Sequence, residues 1–147
     1  MDKTLAKLID KKQKAAAEAP IDWDDRRDKY IAAVRSLYDS VESILADPIR
    51  QRVVTARRVD KLLSESYIGT YSVPDLVLTV GNEQVRFSAC GRNIAGAAGR
   101  VDVAGERAEA MLIYQPEAGW AFVQERYPVL RTLAFGESTL TDVLAGC

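Results

Sequence analysis

An apolar stripe that begins at Tyr30 sets the first limit on how this chain can fold. Tyr30, Val34, Leu37, Val41 and Ile44 recur at alternating steps of four and three residues, and Ile31, Tyr38 and Leu45 widen the stripe. That period belongs to one face of an α-helix. Asp22 stands where an N-cap is wanted, and Asp24 and Asp25 place negative charge in the first turn, where the helix dipole favours it. The pattern predicts an amphipathic helix of about six turns, broken at Asp47-Pro48 because a residue before proline is driven out of the helical region. A stripe this long needs a large apolar surface to cover, most naturally the face of a sheet. A coiled coil is the other way to bury it, but the heptad pattern is too short to prefer that.

From Ser72 the period changes from helical to alternating. VPDLVLTVG (73–81) and EQVRFSA (83–89) read as a hairpin turning at Gly81-Asn82. AEAMLIYQ (108–115) and WAFVQER (120–126) read as two more strands around Pro116–Gly119, with Trp120, Phe122 and Gln124 on one face. A short strand is expected over 129–134. Gly136 closes it, and Ser138 is placed to cap a last helix over 138–146 with Leu140, Val143 and Leu144 inward. Residues 49–66 fit either one helix or two short strands; Val53-Val54-Thr55 tips the reading towards strand. Residues 2–18 have high helix propensity, with Leu5, Leu8 and Ile9 on a narrow apolar stripe and Pro20 as the stop. The expected fold is α+β: N-terminal helices, one of them long and amphipathic, an antiparallel sheet of about five to six strands, and a short C-terminal helix. Residues 1–147 are expected to form a single domain, with 1–19 as a loosely attached helix.

Composition removes several chemistries. The chain contains no histidine, so it lacks the commonest general base and the commonest metal ligand, and Ser-His-Asp or Cys-His machinery cannot be assembled within it. Two cysteines, Cys90 and Cys147, make neither a zinc motif nor a disulfide framework, and they suit a reducing compartment. Cys90 beside Gly91-Arg92 has no base to activate it and reads as a buried strand cysteine. Asp24, Asp25 and Asp28 are explained by capping. No catalytic residue, metal site or cofactor is expected. Net charge is −1, which is not that of a protein built to coat nucleic acid. No apolar run reaches the length of a membrane span, and MDKTLAKLIDKKQK lacks the apolar core of a signal peptide. The expected location is cytoplasmic.

ACGRNIAGAAGRVDVAGERAE (89–109) has the glycine content of a phosphate-binding loop. Such loops need backbone N–H groups converging at a helix start, usually with Lys and Ser/Thr following. Here the spacing matches neither fingerprint, and Arg100-Val101-Asp102-Val103 reads as strand. A hairpin bending at Gly96–Gly99 fits better, the glycines serving for positive φ or close backbone approach. Basic residues are the other signal. Arg50, Arg52, Arg57, Arg58 and Lys61 give residues 48–72 a net charge of +3, between flanks of −1 and −3. These arginines either pair with nearby acids on a solvated face or contact phosphates or an acidic protein, with Arg92 and Arg100 joining them if the fold permits.

The run SYIGTYSVPDLVLTVG, followed by AGAAGRVDVAG, a tryptophan strand and a short C-terminal helix, resembles a type of small bacterial hypothetical protein. In these an N-terminal helical part precedes a GRVD-containing β region. The resemblance implies a prokaryotic or phage setting and strand over 49–66; no activity is attached to it. Two functional classes follow. One is a non-enzymatic protein-interaction protein: an inhibitor, an immunity or antitoxin-like protein, a phage anti-defence protein or an accessory subunit. The other is a nucleotide- or nucleic-acid-binding module using Arg50, Arg52, Arg57, Arg58, Arg92 and Arg100. The expected partner is another protein, with nucleic acid as the alternative; no membrane partner is expected, and homo-oligomerisation is left open.

Overall fold

A computed structural model describes residues 4–9, 22–91, 98–125 and 129–147. Residues 4–9 are helical. They are followed by α1 (Trp23–Ile44), α2 (Ala46–Arg50), β1 (Val54–Glu65), β2 (Gly69–Val80), β3 (Glu83–Gly91), β4 (Gly99–Ala104), β5 (Glu109–Gln115), β6 (Gly119–Glu125), β7 (Arg131–Ala134) and α3 (Glu137–Gly146). The strands form one antiparallel sheet in simple meander order from β1 to β7. The α+β class is as expected, with seven strands rather than five to six. Of residues 49–66, expected as a helix or two short strands, Val54–Glu65 form one long strand, β1, which pairs with β2 along its whole length.

The helix expected from the Tyr30 stripe is α1. Asp22 caps it, accepting a hydrogen bond from the Asp25 N–H at 3.0 Å. Tyr30, Val34, Leu37, Tyr38 and Val41 are buried against the sheet, among Leu76, Leu78, Phe87, Val101, Val103, Leu112 and Phe122. The break comes at Leu45, earlier than expected, and Asp47-Pro48 lie within α2. Proline is tolerated there because first-turn N–H groups have no intrahelical partner to lose. The Gly81-Asn82 turn joins β2 and β3 with Val80 opposite Glu83. In the last helix Thr139, not Ser138, serves the first turn: its hydroxyl accepts from the Gly136 N–H and donates to the Ala134 carbonyl, each at 2.9 Å. Leu140 is buried as expected, while Val143 and Leu144 are half-buried. The stop at Pro20 and the bend at Gly96 and Ala97 lie outside the described residues.

The β1–β2 hairpin turns a different face to the core in each half. Near its base Leu76 and Leu78 are buried; beyond Pro74-Asp75 the core positions pass to Val73 and Tyr71. The pairing of β2 with β3 stops at Leu76 opposite Phe87, and side chains take over from the ladder beyond it. The Asp75 carboxylate accepts from the Ala89 N–H at 2.9 Å. The Tyr30 hydroxyl accepts from the Gly91 N–H and donates to the Arg100 carbonyl, both at 2.9 Å. The far arm of the hairpin thus lies across the start of α1, where Tyr67 stacks on Trp23 at 5.4 Å and Tyr71 meets Tyr30 edge-on. A Cβ at Gly99 would stand 2.5 Å from the Tyr30 ring, so close approach is what this glycine provides.

Candidate functional site

The basic residues singled out by the sequence do not form one surface. Arg57 and Arg58 are consecutive on β1 and therefore point to opposite faces. Arg58 turns towards α1, where it bonds Asp39 at 2.6 Å and Glu42 at 3.1 and 3.2 Å and lies over the Tyr38 ring at 5.8 Å. The Glu42 hydrogen bond, opposed by burial and aided by Asp39, raises its pKa, so it is a fixed cation. Arg50 pairs with Asp47 on α2. Arg100 pairs with Asp102 on its own strand at 2.7 Å. Lys61 is bound to Asp75 at 2.8 Å. Arg52, at φ 61°, and Arg57 are exposed and make no ion pair among the described residues. Arg92 lies outside them. Most of the belt is therefore neutralised by acids, the structural alternative for these residues.

A different feature emerges beside α1. The helix buries its large apolar side chains on the sheet, but the adjoining face carries small ones at Ala32, Ser36, Ser40 and Ser43, all exposed. Spacings of four, four and three keep them on one side of the helix. The sheet opposite presents aromatic residues. Trp120 donates its indole N–H to the Ala33 carbonyl at 2.9 Å, which fixes the ring beside the helix. Tyr114 lies at 5.3 Å from it, and Phe135 packs on Phe122 at 6.1 Å.

Small side chains facing large ones leave a trough. Its first section, about 910 Å³, lies between Asp25–Ser36 of α1 and Tyr114–Pro116 and Trp120. A second, about 250 Å³, shares Ser36 and Trp120 with the first and runs on to Ser40, Ala134 and Phe135. A third, about 560 Å³, shares Ser40 and Phe135 with the second and reaches Ile44. Together they follow α1 for most of its 22 residues, or about 30 Å at 1.5 Å per residue.

The charged groups of the trough sit mainly towards its ends. Arg26 lies over Trp23 at 5.3 Å and has no carboxylate partner among the described residues. Lys29 is paired with Asp25 at 2.9 Å. Asp39 is at the other end, bound to Arg58. In between, Ser36, Ser40 and Ser43 make no side-chain hydrogen bond among the described residues. Such a surface offers aromatic area on one wall and small side chains with serine hydroxyls on the other. No group of three or more potential metal-ligating side chains occurs among the described residues. Their helices include none long and apolar enough to cross a membrane.

The sequence reading missed this trough, although its signal is visible: Ala and Ser recur at helical spacing next to the apolar stripe. It also passed over Asp75, a lone acid inside the apolar run VPDLVLTV. Such a residue is buried only if paired, and here Lys61 and Arg86 provide the pairing. Comparison with models of known protein families, with curated proteins and with solved structures finds no match for this chain.

Proposed function

We propose that the protein is a non-enzymatic interaction module that receives an amphipathic helix of a partner protein in the trough along α1. An inhibitor, an immunity or antitoxin-like protein, a phage anti-defence protein and an accessory subunit are the classes such a module fits. The observation that carries the reading is the continuous trough, with a wall of small side chains on α1 facing an aromatic wall on β5–β7. Small residues let a second helix approach α1 closely, and an apolar helix face laid in a groove is a recurring mode of peptide recognition. Arg26, which has no carboxylate partner among the described residues, favours a partner helix with an acid at that end.

The test uses tagged protein in lysate of the cells that naturally encode it. A stoichiometric protein partner, retained by wild type and by Arg52→Ala/Arg57→Ala but lost on Ser36→Arg, supports the reading. Nucleic acid detected by its 260 nm absorbance, and lost on Arg52→Ala/Arg57→Ala, would replace it with the nucleic-acid alternative.

A further inference from the structure

We propose that the chain's own N-terminal helix, through Leu5, Leu8 and Ile9, occupies the trough along α1 when no partner is bound. The inference rests on the reading of the trough as a helix-binding groove and names its resident competitor.

Residues 4–9 are helical, and their three large apolar side chains share one face yet are 48%, 47% and 42% exposed. A stripe of this kind gains stability only by being covered. The same chain holds an open groove of helical length whose most voluminous section starts at Asp25, just inside α1. The connection between Ile9 and Asp22 is 12 residues, enough to reach ~40 Å when extended. The groove mouth lies within one helical turn of the point where this connection joins α1. The chain has only to reverse direction for the N-terminal helix to lie antiparallel to α1 as a helical hairpin, its leucines between Ser36 on one wall and Trp120 on the other.

Tethering selects the chain's own helix over that of a second copy. A short tether holds the helix at an effective concentration of about 1 mM, above any concentration at which a second molecule would be supplied. An occupant present for most of the time lowers the apparent affinity of an outside partner by the fraction of chains left open. The N-terminal helix therefore acts as an autoinhibitory plug that a partner helix must displace.

Disulfide trapping tests this in the full chain. In a Cys90→Ser/Cys147→Ala background, Leu8→Cys is combined either with Ser36→Cys in the trough or with Arg57→Cys on the far face of β1. The proposal expects rapid cross-linking at monomer mass for the Ser36 pair, at least tenfold faster than for the Arg57 pair. Equal rates, no cross-link, or covalent dimers alone would overturn it, the last by showing that a second copy supplies the helix.

A second measurement needs no cysteine replacement. Leu5→Asp/Leu8→Asp is made in the otherwise native chain. The proposal expects faster amide exchange over residues 25–36 and five- to tenfold tighter partner binding; unchanged exchange would overturn it. Trapping requires no partner, so a groove that captures no outside protein and a helix that never docks give separate results.

Discussion

Replacing Asp75 by asparagine removes one charge from the point where β2 and β3 part. Asp75 is 1% exposed. One carboxylate oxygen accepts from the Ala89 N–H at 2.9 Å and meets the Lys61 ammonium at 2.8 Å. The other accepts from the Arg86 guanidinium at 2.8 and 3.1 Å. The substituted side chain keeps an acceptor for Ala89 but turns an amide donor towards a cation that can only donate. Breaking a fully buried pair costs about 3–5 kcal/mol. Lys61 and Arg86 are 29% and 47% exposed at their side chains and can turn to water, which brings the expected loss for Asp75→Asn to about 2–3 kcal/mol. For a chain of this size that lowers Tm by about 5–10 °C. Burial pushes the Asp75 pKa up, but Lys61, the Ala89 N–H and Arg86 together outweigh it, so the folded value lies below the ordinary one. A carboxylate with a depressed folded pKa stabilises above its unfolded value, near pH 4, and loses that contribution as pH falls through the folded value. Urea unfolding followed by circular dichroism should therefore show a gap between wild type and Asp75→Asn that is constant from about pH 7 to pH 5 and closes below about pH 4. A gap under about 0.5 kcal/mol, or one that persists unchanged in acid, would show that the buried carboxylate and its cations do not carry this energy.

Gly99→Ala places a Cβ 2.5 Å from the Tyr30 ring. It should cost about 2–4 kcal/mol in urea unfolding, since moving that ring also releases the Gly91 N–H and the Arg100 carbonyl. Trp120→Phe removes the bond to the Ala33 carbonyl at a cost of about 1 kcal/mol, and it should weaken partner capture more than Arg57→Ala does. Burial raises the pKa of Tyr30 and of Tyr38. Spectrophotometric titration should find both protonated well above about pH 10 in the folded protein. Because the unfolded tyrosines release their protons first, their contribution to stability should be level below about pH 10 and fall above it. Partial desolvation, aided by Asp102, also raises the Cys90 thiol, and burial raises that of Cys147. Cys147 is buried, whereas Cys90, expected as a buried strand cysteine, is exposed, so alkylation at about pH 7 should be slow for Cys147 until denaturant is added and faster for Cys90 in the folded protein.

The long helix was legible because its period and its cap agree, and the Gly81-Asn82 hairpin because turn chemistry and alternation agree. β1 was harder to read. Its turn into β2 uses Tyr67 at φ 70°, a conformation that a tyrosine does not announce, so the two-strand span from Val54 to Val80 could not be read as one hairpin. The change of buried face at Pro74-Asp75 was also hidden, since every residue from Val73 to Leu78 except Asp75 is apolar or proline and alternation carries no information there. Summing the charge of Arg57 and Arg58 treated them as one patch, whereas any strand sends consecutive side chains to opposite faces. The trough depends on what faces Ser36 and Ser40 across space, and only the placement of Trp120 and Phe135 reveals it.

Hydrogen–deuterium exchange on the Leu5→Asp/Leu8→Asp protein, in complex with a captured partner and free, decides whether the trough is where the partner sits. Binding in the trough predicts added protection in α1 and in β5–β7, with β3 and β4 unchanged. Protection on β1, β3 and β4 around Arg57, Arg86 and Arg100, with α1 unaffected, would contradict it.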